Sequence, residues 1–466
     1  MAARAAIPTD GVMTHHCRHT SLPEYATLIP EHLEEQRIVS SLDTNTQQAT
    51  LPSDEPAALP PADARANLIT ISAAHAVLHG VSILMPLIFP ILHDQYGFSY
   101  TQIGLIGTVS GLAGGLLQLV FGYLSRSVPR KVLIGVGNLV VAVATFMTAT
   151  ATTFLPWLGW SSLRGIGGAP QHPAGNSILA DSYGARRRGF AIAGHVAGGN
   201  VGTLLVPFIG AALIKAFGWQ PTLMIFALPG LAAGSAVLLL TREPAQHTMN
   251  PEVKPAATSS ARPFGERIAN LLAPLRHRGV VLVIIASLVA AGGRGLGILT
   301  KYLPLYLLGP IKLPQTTVTV LYTLLLAGSI VGPLLAGRIS DRAGRRPLLL
   351  VSYGLATVFT LLVPIVFGGG APLIIMVIAI TGLGLVVYCE SPLLQTYLVD
   401  NSAPDQRDVA MGWYFTLAFG IGSLWDVILG SVIDRTGSFI PAFLLMAASY
   451  VAAATVLLFI PRDQRG

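Results

Sequence analysis

The stretch that most limits what this chain can become is 157–188, WLGWSSLRGIGGAPQHPAGNSILADSYGARRR. It opens on Trp157 and Trp160, runs through about twenty mostly small or apolar residues, and ends at Asp181 and the cluster Arg186, Arg187 and Arg188. Aromatic residues at one end and basic ones at the other are how a membrane-crossing helix is oriented. Inside it stand Arg164, His172, Pro170 and Pro173. An arginine in hydrocarbon costs roughly 3 kcal/mol or more and normally faces a bundle interior or a watery cavity. Prolines at that depth free backbone groups that need partners from neighbouring helices or water. This helix is therefore expected inside a bundle, around something polar.

The rest of the chain agrees. It is 52% hydrophobic and 11% charged, against about 25% charged in soluble domains. An all-α integral membrane protein follows. The net charge of +7 does not imply nucleic-acid binding, because basic residues in such chains gather in cytoplasmic loops. Cys17 and Cys389 lie in unlike settings and read as free thiols. Residues 1–66 are polar, lack an apolar h-region and read as a disordered cytoplasmic tail. His15, His16, Cys17 and His19 are metal-ligand types there, but a loose tail gives them no geometry. No other metal or cofactor site is expected.

A window of about twenty residues per crossing gives twelve spans: 68–92, 101–123, 131–151, 156–180, 189–215, 220–240, 279–307, 316–337, 347–367, 372–399, 409–433 and 439–460. A polar segment, 241–278, links a half at 67–240 to a half at 279–466. With both termini cytoplasmic, 23 of the 29 Lys and Arg lie on the inner side and three on the outer. The halves repeat: HPAGNSILAD (172–181) aligns with SPLLQTYLVD (391–400), and GYLSRSVPRKVL (122–133) with GRISDRAGRRPL (337–348). Internal symmetry of this kind places a transport site near the midplane between the halves.

GRISDRAGRR (337–346) resembles the cytoplasmic gate loop of the major facilitator superfamily. The resemblance makes Gly337, Asp341, Arg342, Gly344, Arg345 and Arg346 the gate residues, with Asp341 able to cap a helix end. In the first half Arg126 and Pro129 stand where that loop has Asp and Gly, leaving its acidic gate residue only in the second half. Arg164 followed by Gly168 resembles the superfamily's R-x-x-x-G element, linked to proton coupling. His172-Pro173 together with GGNVGTLLVP (198–207) resembles the fosmidomycin-resistance branch of drug/proton antiporters. The resemblance implies twelve helices in two pseudo-symmetric halves and a monomer in the bacterial inner membrane. It also implies proton-coupled export of a small compound, with spans one, four, seven and ten lining the cavity.

Most of the buried polar residues fall on those four spans. The expected cavity set is His75, His79, Gln118, Arg164, His172, Asn200, Arg294 and Glu390. For proton coupling the candidates are Glu390, Arg164, Asp426 and His79. Glu390, flanked by Tyr388, Cys389 and Pro392, is the leading proton carrier; its plainer reading is a structural salt bridge with Arg294. Arg164 and Glu390 differ by about 12 Å in height at 1.5 Å per residue, too far for a fixed pair. Asp426 is the second carrier, with helix packing as its plainer role. His75 and His79, four residues apart, share a helix face. His195 reads as a packing residue, and Gly194, Gly198 and Gly202 as a smooth face for close helix approach.

Two rivals stand beside proton-coupled export: proton-coupled uptake of an organic anion or sugar, and a transporter-shaped sensor or assembly component. An enzyme is not expected, since no catalytic carboxylate pair, metal cluster or nucleophile elbow is present. Nucleotide-driven transport lacks its G-x-x-x-x-G-K-[ST] loop.

Overall fold

Hydrocarbon offers no partner to a bare N–H or C=O, so an apolar run that crosses it must satisfy its backbone internally, as a helix does. The computed structural model describes residues 59–125, 127–244, 264–403 and 406–460. Among them no strand occurs, and eleven helices are long and apolar enough to cross a membrane. In order these are Pro61–Tyr96, Tyr100–Leu124, Arg130–Thr148, Arg187–Phe217, Trp219–Leu240, Arg278–Leu308, Gln315–Ala343, Arg345–Gly368, Leu373–Asp400, Val409–Thr436 and Ile440–Leu458. Together with the fourth span they form two six-helix halves. The tail cysteine and histidines, Arg126 and much of the linker lie outside the described residues.

The fourth span fails the length test because it is broken. Phe154–Gly168 has 15 residues, and a turn at Ala169–Pro170 follows, where proline has no N–H to continue the ladder. A new helix starts at Gln171 and its helical run extends to Phe217. A straight helix would set His172 and His195 about 35 Å apart, yet their rings lie 6.2 Å apart. The run therefore folds back, carrying the inner part of span four one way and span five the other. Span one begins earlier than expected, at Pro61, with proline in its first turn and Asp63 near its positive end, both favourable at a helix N-terminus.

Glycine sets which helices meet closely. Gly198 of span five lies where a Cβ would come within 2.8 Å of Ser72 on span one, and Gly202 lies against the Ala76 carbonyl. Across the two halves, Gly104, Gly107, Gly111 and Gly115 of span two face Asp426, Ser423 and Gly420 of span eleven.

Spans seven, ten and eleven are irregular at similar depth. Span seven breaks at Ala291–Leu299, where Leu296 and Gly297 leave helical geometry and Gly297 takes φ 121°. Span ten turns at Tyr388 and Cys389 before restarting at Glu390. Span eleven loosens to a π-turn over Phe415–Gly420 and tightens over Ile421–Ser423. Side chains take up carbonyls in these regions. Arg294 donates to Ala418 O at 2.6 Å and Ser287 O at 2.8 Å, Trp425 to Leu288 O at 3.0 Å, Tyr450 to Gly293 O and Tyr302 to Asp426 O.

Candidate functional site

Broken helices around a shared centre leave space where their backbones diverge. Two adjoining cavities lie between the halves, of about 360 Å³ and about 280 Å³, sharing Gly107, Leu296, Lys301 and Phe419 in their walls. The larger is walled by His75, His79, Arg164, Gln171, His172 and Lys301, among others. Gln118, Arg294 and Asp426 line the smaller. Of the expected cavity residues, Asn200 and Glu390 line neither. Asn200 is two residues past Gly198, about 200° round the helix from the face that meets span one.

Arg164 is half-buried on the chamber wall. It donates to Ser161 Oγ at 2.8 Å and Thr148 Oγ1 at 3.3 Å. Among the described residues no carboxylate pairs with it. The fourth span presents it because the helix stops at Gly168, four residues on, where the chain turns at Ala169–Pro170.

Arg294 is different. It is 7% exposed, and its two terminal nitrogens are committed: to the two carbonyls named above, to Ser287 Oγ at 2.9 Å and to Glu390 Oε1 at 3.5 Å, with the face of Phe419 at 4.6 Å and Nε left without a partner among the described residues. It ties spans seven, ten and eleven together. Glu390 is 2% exposed, stands in the first turn of Glu390–Asp400 where the helix dipole favours its charge, and keeps Oε2 without a hydrogen-bond partner among the described residues. It adjoins the smaller cavity through Arg294.

A second ion pair joins spans seven and eleven, between Lys301 and Asp426. Asp426 is 1% exposed and Lys301 20% at the side chain. Lys301 lines both cavities. Sequence reasoning passed over Lys301, whose only sign was being one of three basic residues inside the spans, and gave no hint that it faces Asp426.

Four imidazoles gather beside the larger cavity, three of them, His75, His79 and His172, in its lining. His75 meets His79, His172 and His195 at ring-centroid distances of 4.4, 4.8 and 4.2 Å. His195, expected only to pack, stacks on His75. The glycine face of span five brings it there, with Gly199 against the His75 ring.

At the end of the bundle that carries the 337–346 loop, Gly344 takes φ 84° between the eighth and ninth spans. Asp341 caps no helix end: the helix runs on to Ala343, and Asp341 pairs with Arg345 one turn on at 3.4 Å. Arg345 lies 2.9 Å from Asp400 and Arg346 donates to Leu458 O at 2.8 Å, while Arg342 is exposed and Gly337 has open space beside it. The first half has acidic partners after all. Arg130, fully buried, bonds Asp181 at 2.6 Å and Glu243 at 2.7 Å. Arg130–Asp181 and Arg345–Asp400 occupy matching places in the two aligned repeats. Substitution at 126 and 129 therefore leaves a charged network in place, because its acids come from the ends of spans four and six.

At the far end, Asp434 of span eleven accepts from the backbone N–H groups of Tyr100 and Thr101, at 3.0 and 2.7 Å. It is a carboxylate from one half seated on a helix N-terminus of the other.

Known proteins share this architecture. The sequence profile of the Major Facilitator Superfamily matches residues 71–425 and, again, 312–466. The fosmidomycin resistance protein of Escherichia coli (strain K12) is 27% identical over 374 residues, 78% of this chain and 86% of that protein. An uncharacterized transporter of the same superfamily from Bacillus subtilis (strain 168) is 25% identical over 402 residues, 85% of this chain and 93% of its own. Among solved structures, a nucleoside transporter superposes with a TM-score of 0.69 at 13% identity, covering 85% of this chain and all of that one. The chain is a multi-pass membrane transporter, not an enzyme, and belongs to the Major Facilitator Superfamily.

Proposed function

We propose that this chain exports a small organic anion from the cytoplasm by alternating access, with protons as the coupled ion, acting as a monomer in a bacterial cytoplasmic membrane with both termini inside. The observation that carries the anion is Arg164: a cation on the wall of a 360 Å³ chamber, held by two hydroxyls and no carboxylate among the described residues. A carboxylate or phosphonate would supply the missing countercharge through charge-assisted bonds. Lys301, from the other half, adds a second positive group to the lining of the same chamber. Export is the direction drawn from the similarity to the fosmidomycin resistance protein.

For the proton, Asp426 is better placed than Glu390, since Asp426 lines a cavity and Glu390 adjoins one only through Arg294. The Lys301–Asp426 pair also favours a second reading, uptake of the anion together with protons. A proton on Asp426 releases Lys301 for the anion, and an anion on Lys301 releases Asp426 for a proton, so the two bind best together.

One measurement separates these readings. Purified protein in lipid vesicles is given a pH gradient and a panel of radiolabelled carboxylates and phosphonates, with fosmidomycin among them. Exchange accumulates substrate in vesicles with an acidic lumen; co-transport accumulates it when the outside is acidic. Either way Arg164→Gln is expected to raise the half-saturating concentration about tenfold or more, as loss of a hydrogen bond to a charged group costs roughly 1.5–3 kcal/mol. No flux in either gradient, or an Arg164→Gln variant matching the native protein, would refute the anion reading.

A further inference from the structure

Three imidazoles converge on the chamber from two helices. His75 and His79 are one turn apart on span one and share a face. The break at Pro170 starts a new helix at Gln171, and His172 in its first turn meets them. One ring nitrogen from each lies within 4.8 Å of the others.

The hydrogen bonds around them fix tautomers. His75 Nδ1 is 2.9 Å from the carbonyl oxygen of His195. A carbonyl can only accept, so Nδ1 carries the proton and Nε2 keeps a lone pair. That Nε2 is buried, on a residue 2% exposed, and has no hydrogen-bond partner among the described residues. His79 Nδ1 is 3.1 Å from Thr203 Oγ1, whose own proton goes to Gly199 O at 3.2 Å. Thr203 therefore accepts from His79, and His79 Nε2 also keeps its lone pair. An Nδ1–H held by a carbonyl or hydroxyl with Nε2 left free is the arrangement that orients a metal-binding histidine. Simple ring packing leaves the buried His75 acceptor uncompensated.

We propose that His75, His79 and His172 bind one divalent transition-metal ion of the zinc class through ring nitrogens, with a fourth position open to the chamber. Three neutral imidazoles without a carboxylate select Zn, Cu or Ni over Mg or Ca. Three protein ligands with an open position is the usual form of a reactive zinc site. Ligands at 2.0–2.1 Å from a tetrahedral ion sit about 3.3 Å apart, a contraction that small side-chain rotations supply. His195 serves through its carbonyl and by stacking. Cavity polarity groups positions 75, 79 and 172 in advance, but nothing in their spacing says that the broken fourth span returns to the first closely enough for three rings to share one ion.

The test needs no transport, so its failure is distinct from failure of the anion reading. Full-length protein, purified without a histidine tag and carrying His15→Ala, His16→Ala, Cys17→Ala and His19→Ala to silence the tail, is titrated with Co²⁺ and then with Zn²⁺ in competition. One equivalent of Co²⁺ is expected to give the strong visible bands of four-coordinate cobalt, displaced by Zn²⁺. His79→Asn and His172→Asn should each abolish the bands. Thr203→Val, which leaves all three ligands in place, should weaken binding about 10-fold or more. Should a ligand variant fail to fold, the Thr203 variant still tests the site. Absence of a saturable band, or bands unchanged in His79→Asn, His172→Asn or Thr203→Val, overturns the proposal.

Discussion

Two cations of span seven, the buried Arg294 and the part-buried Lys301, meet two buried acids, and the pairs differ in what surrounds them. Arg294 spends its donors on carbonyls and a hydroxyl as well as on Glu390, so it is a brace as much as a charge. Lys301 has Asp426 and open chamber. Removing one partner from a buried pair costs about 3–5 kcal/mol, whereas removing both is often near neutral. Asp426→Asn is therefore expected to lower the unfolding temperature clearly. The double variant Lys301→Met with Asp426→Leu should recover most of that loss while abolishing proton-coupled flux. Thermal unfolding in detergent, read beside vesicle flux, checks both; equal destabilisation of the single and double variants would show that the pair is not coupled.

At the scale of elements, close helix contact rests on glycine. A Cβ at Gly202 would overlap the Ala76 carbonyl, whereas one at Gly189 meets nothing. Overpacking typically costs about 1–3 kcal/mol, so Gly202→Ala should reduce folded yield and melting temperature while Gly189→Ala leaves both unchanged. A Gly202→Ala protein as stable as the native one would mean the two spans can part freely. These elements were partly legible beforehand. Length and apolarity located the spans, and Pro170 with Pro173 marked the fourth as irregular. The Gly194, Gly198 and Gly202 period signalled a close partner without naming span one. Periodicity describes one helix at a time, and for that reason it could not show that His195 stacks on His75 or that Lys301 reaches Asp426. The family resemblance puts Glu390 on a cavity-lining span, and side-chain polarity alone suggests the cavity for Asn200. The turn at 388–389 and the rotation from Gly198 are local geometry that polarity does not encode.

Across the whole molecule, the two halves are held at one end by Asp434 on the N-terminus of span two. A side-chain cap on a helix start is worth about 0.5–2 kcal/mol, enough to shift a two-state balance by roughly tenfold. Asp434→Ala should therefore favour states in which that end is open. Spin labels near the start of span two and the end of span eleven would report it as a longer distance population. An unchanged distribution would mean that the ring contacts of Tyr100 with Phe439 suffice to hold the end shut.

The seam between spans two and eleven has a mechanical consequence. Along it the two rods meet through glycine, and midway Thr108 donates its hydroxyl to Ser423 O at 2.8 Å while the Ser423 hydroxyl is shared between Gly420 O at 2.6 Å and Thr108 O at 3.0 Å. Such a joint can swivel without dragging bulky groups past one another. Away from the Asp434 end, what holds it is a small latch, these hydroxyls and the Val427 N–H that donates to Thr108 Oγ1 at 3.2 Å, which water admitted from the chamber can replace as the joint turns.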